Sequence, residues 1–132
     1  ELDRLAQNLF LAAPTVSQHA ALEAFGEESL AILEARREEF RLRRDFLLPA
    51  LRGLGFDIPV TPDGAFYLYA DCSRFTDDSF GFSRQLLEEA GVAITPGIDF
   101  GEYRQEQHVR FAYTTSIENL QEGIDRLAGF LR

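Results

Sequence analysis

HVRFAYTTSIENLQEGIDRL, residues 108–127, decides the fold, because its hydrophobic period changes part-way from that of a strand to that of a helix. Val109, Phe111 and Tyr113 alternate with Arg110 and Ala112, the pattern of a strand with one buried face. Thr115 with Glu118 three residues on has the form of a capping box, and Ile117, Leu120, Ile124, Leu127 and Leu131 make an apolar stripe at helical spacing. Upstream, residues 65–70 form an unbroken apolar and aromatic run. Tyr67 and Tyr69 take one face and Phe66, Leu68 and Ala70 the other, which reads as a central strand. Asp77, Asp78 or Ser79 caps a helix carrying Phe82, Leu86, Leu87 and Ala90. Gly91 stands where a helix end turns left-handed, and a further strand is expected over residues 92–95.

The first half is helical. Residues 28–48 contain no Gly or Pro and repeat Leu33, Phe40 and Leu47 every seven positions, which predicts a long helix ended by Pro49 and the Gly53, Gly55 pair. Leu2, Leu5, Leu9 and Phe10 predict a short amphipathic helix interrupted at Ala13 and Pro14, and Pro14 with Thr15 or Ser17 opens another that stops near Gly26. The expected class is α+β: a small three- to four-stranded sheet covered by helices and preceded by a long connecting helix, with residues 1–132 forming one domain.

Composition narrows the function classes. The chain is 45% hydrophobic and 27% charged, an ordinary globular balance, and its net charge of −9 disfavours nucleic acid and anionic membrane surfaces as partners. No apolar run reaches the roughly 20 residues that span a bilayer. Cys72 is the only cysteine, so a disulfide scaffold is excluded and a reducing, cytoplasmic compartment is expected. All 13 bases are Arg, leaving no lysine for a Schiff base or a phosphate loop. The absence of Met and the start at Glu1 suggest a piece of something longer.

Arg110 is the residue out of place: a guanidinium in an apolar strand loses water and needs an anion. That anion is either one of the chain's own acids, in a structural ion pair, or a ligand carboxylate gripped by the planar fork. Other candidates read as structural. His19 and His108 lack companions at ligand spacing, so no metal site is expected. Cys72 has no neighbouring Lys or His to activate it. Ser17 reads as a helix-start residue, Tyr67 and Tyr69 as a packing pair or a stacking surface for cofactor or substrate, and Arg36, Arg37, Arg41, Arg43 and Arg44 as a solvated face laced by acids.

Six segments in order, PTVSQHAAL (14–22), RRDFLLPAL (43–51), TPDGAFYLYAD (61–71), AGVAITPGIDFG (90–101), HVRFAYTTS (108–116) and LQEGIDRL (120–127), resemble the C-terminal part of class I/II, fold-type I pyridoxal-phosphate-dependent aminotransferases. The resemblance covers nearly the whole chain. It implies transfer of an amino group between an amino acid and a 2-oxo acid, with Arg110 binding the substrate α-carboxylate. It implies further that the Schiff-base lysine, the acid facing the pyridine nitrogen and most of the phosphate cradle lie in a missing large domain. On this view the segment has no catalytic residue of its own, binds no cofactor covalently and is inactive alone. The parent is a homodimer carrying pyridoxal phosphate, and the small domain closes on substrate. Thr95, Pro96 and Gly97 match a turn signature, and Ser17 and Gln18 fall near the domain junction without a role. The competing reading is a stand-alone, non-catalytic binding module in which Arg110 belongs to an ion pair.

Overall fold

A computed structural model describes residues 1–132, in two units, Glu1–Glu38 and Glu39–Arg132. The first contains α1 (Leu2–Leu9), α2 (Thr15–Ala24) and the start of α3 (Glu27–Leu54). None of the residues of α1 or α2 is buried; Leu2, Leu9, Val16 and Phe25 are all exposed. α2 opens at Pro14 and Thr15, as the sequence suggests, but its N-cap carries no side-chain bond: Pro14 is the cap residue, and neither Thr15 nor Ser17 supplies a capping hydroxyl.

The second unit holds the core. After the end of α3 come β1 (Tyr67–Asp71), α4 (Ser79–Gln85) running on into a π-helical turn (Leu86–Ala90), β2 (Thr95–Pro96), β3 (His108–Ala112) and α5 (Ile117–Phe130). Short 3₁₀ turns occupy Gly97–Asp99 and Gln105–Gln107. The sheet is antiparallel with order β1-β3-β2. Leu68 pairs with Phe111 and Ala70 with Val109, so the buried residues of both strands share one face, and Leu47, Leu51, Leu86 and Leu127 join them in one cluster. The result is the α+β class expected, with three strands and a long preceding helix.

Several boundaries differ from the sequence reading, each for a local reason. Pro49 does not end α3, which continues to Leu54. An interior proline costs about 3 kcal/mol, but Leu47, Leu48 and Leu51 are buried on this turn at about 1.5–3 kcal/mol each, and burial wins. The strand expected over 65–70 begins at Tyr67 because Ala65 is left-handed, φ 62°, and cannot be extended. It is an edge strand, with β3 central. Its aromatic residues mimic a doubly buried run, yet Phe66, Tyr67 and Tyr69 are exposed. The strand expected over 92–95 shrinks to Thr95–Pro96: the Gly91 N–H closes the π turn on the Leu86 carbonyl, and the Val92 N–H is committed to the same oxygen.

Helix ends follow side-chain chemistry. Asp78 caps α4, accepting from the Gly81 N–H at 2.9 Å, and Gly91 turns left-handed at φ 65° as its position suggested. At α5 the cap is Ser116, whose hydroxyl accepts from the Asn119 N–H, in place of the expected Thr115 and Glu118 box. Thr115 instead accepts from the Asn119 side chain at 2.8 Å.

Candidate functional site

The sheet face opposite the core is open, and the alternation of its strands decides what stands there. Tyr67 and Tyr69 on β1, His108 and Arg110 on β3 and Thr95 on β2 all point to this side. Tyr69 is the direct partner of Arg110 on one flank and Thr95 on the other.

Arg110 has no carboxylate within ion-pair distance, so the in-chain acid that one reading required is not there. Its Nη2 donates to the Thr95 hydroxyl at 3.1 Å, and its Nε is buried without a partner. Aromatic rings take the place of an acid: the guanidinium carbon lies 4.8 Å from the Phe100 ring centre and 5.6 Å from that of Tyr67. Phe100 in turn meets Tyr69 edge-on at 5.9 Å, and Tyr69 stacks on His108 at 4.9 Å with the planes 11° apart. The acid nearest along β1, Asp71, is engaged by Arg104 at 3.0 Å and by the Ser73 N–H at 2.8 Å. Burial works to raise its pKa, but the Ser73 hydrogen bonds and Arg104 outweigh that and hold the carboxyl below its ordinary value. The guanidinium thus keeps an orphaned donor in an aromatic frame, with the two-pronged donor geometry that a planar anion would match.

The other sequence candidates fall outside this constellation or support it from the side. Cys72 is fully buried, and burial pushes its thiol up to about 11, so it is an inert core residue, as expected. His19 is exposed on α2, and Ser17 lies on the same helix. His108 Nδ1 lies 2.9 Å from the Arg104 carbonyl. No group of three or more His, Cys, Asp or Glu is close enough to hold a metal ion. The α3 arginines pair along their helix, Arg37 with Glu34, Arg41 with Asp45 and Arg43 with Glu39, as a laced face. Arg43 and Arg44 are more covered than that expectation allowed: Arg43 lies over Phe40, and Arg44 donates to the Pro62 carbonyl at 2.8 Å. Tyr67 and Tyr69 frame Arg110 rather than packing into the core.

Phe100 and Thr95 are the site residues that sequence reasoning missed. Thr95 reads in the sequence as a strand end and the start of a turn, with no side-chain role, and Phe100 lies in an aperiodic loop. The sequence carried one signal, the Pro96–Gly97 turn, and the structure shows why a glycine stands there. A Cβ on Gly97 would fall 2.3 Å from the Gln105 carbonyl oxygen and 2.7 Å from that of His108, so only glycine lets the 97–99 turn fold onto the strand.

A family model described as aminotransferase class I and II matches residues 2–127. The chain belongs to this family. It is 38% identical to the valine–pyruvate aminotransferase of Mycobacterium tuberculosis, over 98% of this chain and 34% of the relative. It is 44% identical to the aspartate/prephenate aminotransferase of Thermus thermophilus, over 89% of this chain and 30% of the relative. The crystal structure of an aminotransferase from Mycobacterium tuberculosis superposes with a TM-score of 0.88 at 39% identity, covering 98% of this chain and 33% of that one. The chain thus spans about a third of the length of these relatives.

Class I and II aminotransferases imply pyridoxal phosphate, and the residues here do not fit that group. No side-chain amine exists to take its aldehyde, because all 13 bases are Arg. A cleft of about 340 Å³ beside α5 is lined mainly by apolar side chains, and its cation, Arg126, is already bonded to Glu122 at 2.6 Å. No helix is long and apolar enough to cross a membrane.

Proposed function

We propose that this chain is the C-terminal small domain of an aminotransferase that moves an amino group between an amino acid and a 2-oxo acid, and that Arg110 binds the substrate α-carboxylate. The observation that carries the reading is the state of Arg110: a strand guanidinium with no acid partner, a buried unpaired Nε and rings beside it. A carboxylate supplies what the position lacks, a negative charge and two acceptor oxygens in one plane. Two parallel hydrogen bonds fix orientation as well as charge, which a lysine ammonium would not do. By holding one end of the amino acid, Arg110 directs the bonds at its Cα and turns binding energy into positioning. The relatives named above act on amino acids with different side chains; the shared α-carboxylate is the group this reading assigns to Arg110.

Pyridoxal phosphate supplies the electron sink for amino-group transfer when bound in the complete protein. Its lysine and its phosphate and ring contacts belong, in this proposal, to a preceding large domain. The lysine-free composition and the one-third coverage of relatives support that division. The complete protein is a cytoplasmic homodimer joined mainly through that large domain, a location in keeping with a single unpaired cysteine.

Assaying the complete protein with a panel of amino acids and 2-oxoglutarate tests the reading. Transfer of the amino group is expected. A folded, cofactor-loaded protein that transfers none would overturn it in favour of a binding module. For this chain alone, borohydride reduction after incubation with pyridoxal phosphate is expected to leave no adduct on any side chain.

A further inference from the structure

We infer that Phe100 is the positioning residue for Arg110, the ring that sets the plane in which the guanidinium meets a carboxylate. The inference rests on the reading of Arg110 as the carboxylate site and deepens it. The guanidinium makes a single hydrogen bond within the chain, to Thr95, and one bond leaves rotation about its own axis unrestrained. Phe100 supplies the missing restraint, its ring centre 4.8 Å from the guanidinium carbon, nearer than Tyr67 at 5.6 Å.

The ring is itself held. The Phe100 N–H donates to the Gly97 carbonyl at 2.9 Å, closing the 3₁₀ turn, and Tyr69 meets the ring edge-on. Gly97 allows that turn to lie against the backbone of residues 105–108, so the loop is registered on the strand that carries Arg110. Phe100 is 45% exposed, which is more than a core-packing role needs and leaves the fold able to tolerate its replacement.

The test uses the complete enzyme and its best amino-acid substrate. Phe100→Leu keeps apolar bulk and removes the π face; Phe100→Tyr keeps the face. Phe100→Leu is expected to raise KM about three- to tenfold with kcat little changed, since a desolvated cation–π contact is worth that much and acts on carboxylate binding throughout the reaction. Phe100→Tyr is expected to restore KM. On an Arg110→Lys background, Phe100→Leu is expected to add little, because its effect passes through the fork. An unchanged KM in Phe100→Leu, a failure of Phe100→Tyr to restore it, or an equal loss on both backgrounds overturns the positioning role and leaves Arg110 standing. If Arg110→Lys alone leaves kcat/KM unchanged, the carboxylate reading itself falls, and this inference with it.

Discussion

Arg110 and Thr95 are Cα partners across the β2–β3 ladder, and the arginine Nη2 reaches the threonine hydroxyl at 3.1 Å. A strand only two residues long therefore has a defined task, to present one acceptor to one cation. Two substitutions separate the contributions. Arg110→Lys keeps the charge and loses the fork, so kcat/KM of the complete enzyme is expected to fall about ten- to a hundredfold, the range of a charged hydrogen bond worth about 1.5–3 kcal/mol. Thr95→Val keeps the shape and removes the acceptor, and a loss of only a few-fold is expected. Steady-state kinetics that reverse this order would contradict the geometry.

Gly97→Ala is expected to destabilise the second unit by about 1–3 kcal/mol, the usual cost of forcing a methyl into filled space. The obstruction is main-chain oxygen from Gln105 and His108, which cannot swing aside as a side chain would. Urea denaturation reads the shift directly.

Pro49→Ala is expected to stabilise the fold by about 1–2 kcal/mol. The substitution restores the amide that an α-helix donates four residues back, and the proline penalty of about 3 kcal/mol exceeds the roughly 1 kcal/mol of unfolded-state stiffness lost. The Pro49 ring is exposed and contributes no buried packing. An unchanged or lower denaturation midpoint would show that α3 draws on the proline in some other way.

Cys72 is expected to resist alkylation by iodoacetamide at neutral pH until the fold opens, since its thiol lies at 0% exposure with its pKa pushed up to about 11. The linked effect on stability has a definite sign. A thiol that titrates near 9 when unfolded and near 11 when folded holds its proton longer in the native state, so its contribution is intact below pH 9 and is lost as pH rises to 11. Cys72→Ala should flatten that part of the stability profile.

Residues 108–127 were legible because period and polarity agree there: β3 alternates and α5 carries a stripe, and both survive in the structure within a residue or two. Arg110 was legible for the opposite reason, as a charge that breaks its own pattern. Local rules failed where a distant contact decides. Pro49 reads as a stop because propensity says nothing of Leu47, Leu48 and Leu51 packing behind it. The aromatic run around Tyr67 reads as doubly buried because hydropathy cannot distinguish a ring in a core from a ring beside a guanidinium. Phe100 joins the site through a loop without periodicity, ten residues from Arg110 in sequence, and only three-dimensional closure around Gly97 brings them together.

The sheet also ends abruptly at both sides. β2 is two residues long and closes with Pro96, which has no amide to donate, while Asp57 already bonds to both main-chain groups of Asp71 at the far end of β1. Such borders offer little template for another strand. Pairing by a further strand is therefore obstructed at the β2 side and at the Asp71 end of β1, and only the outward main-chain groups of Tyr67 and Tyr69 remain as a template for it.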